Sequence, residues 1–296
     1  MTPEAPELTI LHISDLHFGP PYVPRVGEAL LREAALVRAD VIVASGDFTQ
    51  RAKPEQFAAA RKFLDSLPAA PVVVVPGNHD VPLYRIFERL FDPYRYYRQY
   101  MAEDLDQVVD FGPARFVALN SAAPRTAITN GAIRPSQLEF CEQAFADHPA
   151  GGIRIVVAHH HFAPAPDYDK SQSMRGARRA LDTFHRLDVE MVMGGHQHRA
   201  YVGNSLDVYP GADRERGIII AQSGTSTSRR GRAREHEKNT FNVIHISATT
   251  IFITHYMYFT DLDGFASISR HEFPRSKHRF LEQLMPEPAP SVPTRA

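Results

Sequence analysis

The chain of 296 residues has a single cysteine, Cys141, which excludes an internal disulfide and fits a reducing compartment. Cys141 lies in the helical pattern PSQLEFCEQAF and reads as a small packed residue rather than a nucleophile. Long apolar runs are missing too, since nothing approaches the roughly 18 residues of a spanning helix. The opening MTPEAPELTILHI carries acids where a signal peptide carries positive charge, and its apolar run is too short for a signal's hydrophobic region. A soluble, cytoplasmic protein with no membrane partner is expected. Neither charge is in excess: 33 basic against 34 acidic residues leave a net of −1, so no global field favours nucleic acid. Hydrophobic content of 43% and charged content of 23% are those of an ordinary globular chain with ample core.

What the chain does contain is an alternation of two textures. Short runs rich in Val and Ile are LTILHI (8–13), DVIVAS (40–45), PVVVVP (71–76), RFVALN (115–120), RIVVAH (154–159) and VEMVMG (189–194). Between several of them lie segments with helical spacing, at 23–39, 54–67, 136–147 and 175–187. Apolar strands alternating with helices indicate sheets buried on both faces. After about residue 200, AYVGNSLDVYP, GIIIAQSG, TFNVIHIS and TIFITHYMYF predict successive strands in a second, more antiparallel sheet packed on the first. One domain over 1–284 is expected, closing with a short helix at HRFLEQL. The Pro-rich tail, 285–296, is expected to be disordered.

Each of five strands hands over to residues that can bind a metal or a proton. LTILHI leads to Asp15 and His17, DVIVAS to Asp47, and PVVVVP to Asn78, His79 and Asp80. RIVVA leads to His159, His160 and His161, and VEMVM to His196 and His198. Ligands bind at the carboxyl ends of strands in α/β sheets, so five such ends describe one crevice. Extended residues two apart project to one side, which lets Asp15 with His17, and His196 with His198, reach a common centre. Carboxylate, amide oxygen and imidazole suit Mn, Fe, Zn, Co or Mg rather than soft Cu(I). Seven donors exceed the needs of one tetrahedral ion, whereas two ions sharing a carboxylate use them all, an arrangement that recurs in displacement at phosphorus.

The series Asp15-x-His17, Gly46-Asp47, Gly77-Asn78-His79-Asp80, His159-His160 and Gly195-His196-x-His198 resembles the full signature of the calcineurin-like metallophosphoesterase superfamily, over residues 8 to about 247. ISDLHFG, the run HHH and SGTSTSRRG resemble its bacterial class III cyclic-nucleotide phosphodiesterase and glycerophosphodiesterase-like branch. One departure stands out: relatives place proline soon after the histidine run, whereas Phe162 and Ala163 intervene before Pro164. That loop would border the substrate.

The resemblance implies an α/β fold, a four-layer αββα sandwich of two mixed β-sheets flanked by helices. It implies two divalent or trivalent metal ions (Mn, Fe or Zn), the first held by Asp15, His17, His198 and bridging Asp47, the second by Asn78, His159 and His196. A hydroxide between the ions would attack phosphorus in line, with His79 at the leaving oxygen and Asp80 fixing its ring. His160 stays open as the alternative to His159, and His161, at most behind them, is a candidate to contact the substrate. The remaining histidines, His12 among them, have no supporting constellation and read as packed or exposed.

Two further stretches carry double readings. SRRGRAREHEK (228–238) has a local net of +3, so Arg229 and Arg230 could hold phosphate as readily as form a solvated loop. FDPYRYYRQYMAEDL (91–105) invites a base-stacking reading, but Tyr94, Tyr97, Met101 and Leu105 share one helical face and packing is favoured. The expected function is hydrolysis of a small phosphodiester, such as cyclic AMP or a glycerophosphodiester. A phosphomonoesterase, pyrophosphatase, nuclease or non-catalytic module is the alternative. Relatives of the superfamily often pair, so a homodimer is among the expected states.

Overall fold

The computed structural model describes residues 7–126, 128–163, 172–207, 209, 217–232 and 235–275. The expected tail at 285–296 and the helix at HRFLEQL lie outside these residues.

Twelve strands form two six-stranded sheets among the described residues. The first is built from β1 (Leu8–Ile13), β2 (Val41–Ala44), β3 (Val72–Val74), β10 (Thr240–Ile246), β11 (Thr250–Phe259) and β12 (Gly264–Pro274), in the order β12-β11-β10-β1-β2-β3. Strands β1, β2 and β3 run parallel, and β10 turns the sheet antiparallel by pairing Leu8 with Ile246. The second sheet holds β4 (Gln107–Phe111), β5 (Ala114–Leu119), β6 (Ile153–Ala158), β7 (Met191–Gly194), β8 (Tyr201–Asn204) and β9 (Ile219–Gln222), ordered β4-β5-β6-β7-β9-β8. Its centre is parallel, and β4 and β8 pair antiparallel at its edges.

The separate antiparallel sheet expected after residue 200 does not form. Instead β8 and β9 extend the second sheet, while β10, β11 and β12 extend the first. Each sheet therefore mixes directions, as the four-layer arrangement requires.

Side-chain alternation builds the layers. Leu8 and Ile10 on β1, Val41 and Val43 on β2, and Ile153, Ile155 and Val157 on β6 face into one apolar cluster between the sheets. The intervening residues face outward. Leu11 and Ile13 meet α1 (Pro24–Val37) and α2 (Pro54–Asp65), and Val156 and Ala158 meet α5 (Pro135–Ala146) and α6 (Ala177–Arg186). Pro24, Pro54 and Pro135 each open a helix at its first position, where a missing N–H costs nothing. Two short helices, α3 (Ile86–Phe91) and α4 (Arg95–Tyr100), connect β3 to β4. Tyr97 is fully buried and Tyr94 nearly so, with Met101 and Leu105 packed beside them, as the shared face predicts. Asp92 and Pro93, whose sequence reads as an N-cap and first helical turn, instead precede α4 in a turn.

Candidate metal centre

The strand ends named by the sequence meet where the carboxyl edges of the two sheets face each other, β1, β2 and β3 from one and β6 and β7 from the other. The extended geometry expected for the paired donors is not what brings them together. Asp15 (φ 53°), His17 (φ 49°), Asp47 (φ 53°), His196 (φ 72°) and His198 (φ 54°) all sit in the left-handed region. That conformation is uncommon outside glycine and costs of order 1 kcal/mol per residue. Strain of this kind, repeated at five donor positions, marks loops shaped for a site.

Two groups of donors form. Ligand atoms of Asp15, His17, Asp47 and His198 lie within 4.8 Å of one another, as do those of His159, His160 and His196. Each carboxylate has one oxygen committed to the protein. Asp15 Oδ2 accepts from Ser14 Oγ at 2.7 Å and from His196 N at 3.0 Å, and Asp47 Oδ1 accepts from His79 N at 2.8 Å. The other oxygens, Asp15 Oδ1 and Asp47 Oδ2, are buried without a hydrogen-bond partner, as is His159 Nε2. His198 Nε2 stands 3.1 Å from Asp15 Oδ1, and Asp47 Oδ2 lies 3.6 Å from His17 Nε2 and 3.4 Å from His159 Nε2. Orphaned buried acceptors are costly unless something fills them. These converge where two cations sharing Asp47 would be held, so the residues fit the metal pair.

Backbone carbonyls orient the imidazoles. His159 Nδ1–H donates to Ser45 O at 2.7 Å and His198 Nδ1–H to Arg230 O at 2.8 Å, which leaves Nε2 of each free to face a cation. Burial pushes the His17 ring down to about 3 and holds His196 well below its usual range, keeping both in the neutral form that binds metals. For Asp15, burial favours protonation but the His198 and His17 rings prevail and hold it well below the usual range. Likewise Asp47 is held low against its burial by His159 and His79, and His159, opposed by its own burial, rises to about 9 beside Asp47.

Two glycines are demanded by these contacts. Gly46 has φ 95°, and a Cβ there would come within 2.7 Å of His159 Nδ1. A Cβ on Gly195 would overlap Ser14 Oγ and Asp15 Oδ2.

His79 and Asn78 lie in the single 3₁₀ turn Asn78–Asp80 after β3, and both line the cleft. Asn78 Oδ1 is 2.9 Å from His196 Nδ1. His79 stacks edge-on with His17, ring centroids 4.8 Å apart, and its Nδ1–H donates to Gln50 O at 3.0 Å. Asp80 does not fix the His79 ring. Its carboxylate accepts from the N–H groups of Phe48, Thr49 and Gly77 and from the Thr49 hydroxyl. Asp80 therefore ties the loop after β2 to the turn after β3, and burial with nearby Asp47 raises it to about 7.

His160 joins the second donor group as the alternative to His159, with Nδ1 on Ser121 Oγ at 2.8 Å and Nε2 buried without a hydrogen-bond partner. Of the expected substrate residues, only Arg230 lines the cleft. His161 is buried behind His196, its ring stacked 5.7 Å away, and Arg229 is exposed with its N–H on Pro21 O. Phe162 likewise turns into the core, 1% exposed against Phe184, so it does not meet substrate.

The cleft, about 210 Å³, adds residues that sequence reasoning missed: Gln50, Arg51, Val81, Leu83, Ile128, Thr129 and Arg232. Gln50 accepts from His79 on its carbonyl and from Arg230 Nη1 on its side chain at 3.0 Å. Burial lowers the Arg230 guanidinium, Asp47 and Asp15 oppose that, and Arg232 and Arg51 add repulsion. No motif announces these residues. Only the basic run at 228–238 hinted at Arg232.

Two mixed sheets with carboxylates and imidazoles gathered at their facing edges define an α/β sandwich carrying a candidate paired cation site. The chain belongs to the Calcineurin-like phosphoesterase family, whose profile matches residues 8–200. Among curated proteins it is similar to a probable cyclic nucleotide phosphodiesterase of Rhodococcus erythropolis, 26% identical over 211 residues, covering 65% of this chain and 65% of that one. It is also 27% identical over 207 residues to the 3′,5′-cyclic adenosine monophosphate phosphodiesterase CpdA of Pseudomonas aeruginosa, covering 69% of this chain and 65% of that one. The chain thus spans slightly under two thirds of both relatives. Among solved structures its fold matches purple acid phosphatase PPD1 of yellow lupin (TM-score 0.66, 13% identity, 92% of this chain and 54% of that one). It also matches PhoD (TM-score 0.62, 12% identity, 90% of this chain and 72% of that one).

Proposed function

We propose that the protein is a dinuclear-metal phosphodiesterase of the cytoplasm acting on a small phosphodiester, such as a cyclic nucleotide or a glycerophosphodiester. The observation that carries this reading is Asp47 Oδ2, buried without a hydrogen bond between His17 Nε2 at 3.6 Å and His159 Nε2 at 3.4 Å. Asp15, His17, Asp47 and His198 would hold one cation, and Asp47, Asn78, His159 and His196 the other, with His160 beside them. When bound, such ions neutralise charge on a phosphoryl group and lower the pKa of an attacking water.

The chain's own groups would do the rest. His79 keeps Nε2 available because Nδ1–H is committed to Gln50 O. Burial disfavours its protonated form, with Asp47 opposing. An anionic phosphoryl group alongside would favour protonation further, so that Nε2–H can be given to the departing oxygen. Arg230, fixed by Gln50, would grip a non-bridging oxygen. The names of the curated relatives support the diester over the monoester.

The test is a substrate panel offered to metal-stripped protein reloaded separately with Mn, Zn, Fe and Mg. The panel holds an activated phosphodiester, an activated phosphomonoester, cyclic AMP and glycerophosphodiesters. Metal-dependent diester turnover well above monoester turnover is expected. A monoester preference would make the protein a phosphatase instead, and silence across the panel with metals bound would overturn the reading.

A further inference from the structure

The charges lining the cleft do not balance. Its residues include three arginines, Arg51, Arg230 and Arg232, and one carboxylate, Asp47. Asp47 attracts Arg230 from a distance but forms no ion pair with any of the three, because Oδ1 is held by His79 N and Oδ2 faces His17 and His159. The chain as a whole has a formal charge of −1, so this basic excess is local rather than a property of the surface at large. A phosphodiester linkage carries one negative charge, which two cations would already more than match.

The three guanidinium groups also differ in how they are held. Arg230 donates to Gln50 Oε1 at 3.0 Å, and its carbonyl carries the His198 ring, so it is built into the metal end. Arg51 lies over the Tyr84 ring, 5.0 Å from its centroid. Arg232 is tied by its backbone N–H to His198 O at 3.1 Å. Among the described residues, neither Arg51 nor Arg232 makes a side-chain hydrogen bond or ion pair. Two cationic side chains, Arg51 half-buried and Arg232 exposed, thus line the cleft close enough to Arg230 to repel it. Like charges gathered this way are unfavourable until an anion joins them, and planar forks match a phosphate's oxygens two at a time.

We infer that Arg51 and Arg232 form a second anion subsite, which binds a phosphoryl group of the substrate lying outside the scissile linkage. The inference deepens the phosphodiesterase reading and rests on it: the preferred diester carries an additional phosphate, which cyclic AMP lacks. Val81, Leu83 and Ile128 in the same lining would pack against an apolar or ring-shaped connection between the two phosphates.

The test uses Mn-loaded protein and ligands that differ by one phosphate. Thymidine 3′,5′-bisphosphate is expected to bind at least about tenfold more tightly than thymidine 5′-phosphate by calorimetry at low salt. Arg51→Gln with Arg232→Gln should bring the two affinities within about twofold of each other. The Arg51→Lys, Arg232→Lys pair, which keeps the charge but not the forks, should restore part of the gap. Equal affinities in the wild-type protein, or a gap that survives in the glutamine pair, would overturn the subsite. Turnover of the p-nitrophenyl esters of the same two nucleotides separates the two ideas. An affinity gap without hydrolysis of either ester would keep the subsite and sink the phosphodiesterase. Hydrolysis of both without a gap would do the reverse.

Discussion

His79 combines three features in one side chain: it lines the cleft, its Nδ1 is committed to Gln50 O, and its ring meets His17 edge-on. The two donor groups form without it. His79→Ala is therefore expected to keep both metals, measured by elemental analysis, while turnover of a diester with a poor leaving group falls by about 10²–10⁴-fold. Full activity on that substrate would remove its role as proton donor. At Gly195 the argument is one of space alone. A methyl there would overlap Ser14 Oγ and Asp15 Oδ2, the pair that positions the first donor group. Gly195→Ala should weaken metal affinity by about tenfold or more, a loss in the range seen when groups that orient metal ligands are removed. Metal titration followed by circular dichroism separates this from unfolding, and unchanged affinity would mean that the loop yields.

Among the elements, α2 and α3 make a useful contrast, since both follow a strand end and both border the site's loops. Helix α2 buries Phe57, Ala60, Phe63 and Leu64, whereas α3 buries nothing and exposes Phe87 (80%) and Phe91 (79%). What holds α3 is a set of arginine forks on backbone carbonyls: Arg89 on Leu83 O and Arg125 on Leu90 O. A helix of six residues without apolar anchorage opens easily. Its amides should exchange with solvent about 10²-fold or more faster than those of α2, and Arg125→Ala should speed them further while leaving α2 unchanged. Equal protection of the two helices would show that the arginine contacts suffice. The helical spacing in 91–105 announced the buried face of α4, but the apolar letters of IFERLF gave no sign that α3 would stay uncovered.

For the whole molecule, acid is the revealing variable. His255 is 5% exposed on β11, bonded through Nδ1 to Asn242 Oδ1 and edge-on to His271, and burial lowers it from 6.5 to about 4. The unfolded chain takes up a proton at that residue near 6.5 and the folded chain does so only near 4. Stability is therefore fully present above 6.5 and is lost as pH falls from 6.5 towards 4, by about 3 kcal/mol from this residue. In urea unfolding, His255→Gln should lose less stability than the wild-type protein over that window. Identical slopes would mean that His255 takes up its proton over the same pH range in the folded and unfolded chain.

Much of the fold and most of the candidate site were legible in the residues. PVVVVP, RIVVAH and VEMVMG could only be buried strands, and the donors that follow them sit at strand ends because a chain leaving a sheet is where polar side chains can gather. Pro54 marked the start of one helix for an equally local reason, and Pro24 and Pro135 turn out to open two more. The strands β4 and β12 escaped notice because QVVDF and GFASISRHEFP are half exposed at sheet edges and lack a continuous apolar run. Assignment of the late strands to two different sheets was also beyond reach, since pairing partners are set by packing across the whole chain. Only tertiary structure decided that Asp80 holds backbone rather than the His79 ring, that His161 and Phe162 turn inward, and that Arg51 and Arg232 share a cleft with Arg230. Residue type sets what a side chain can do and local pattern sets which element carries it, but which way it points depends on neighbours that are distant in the chain.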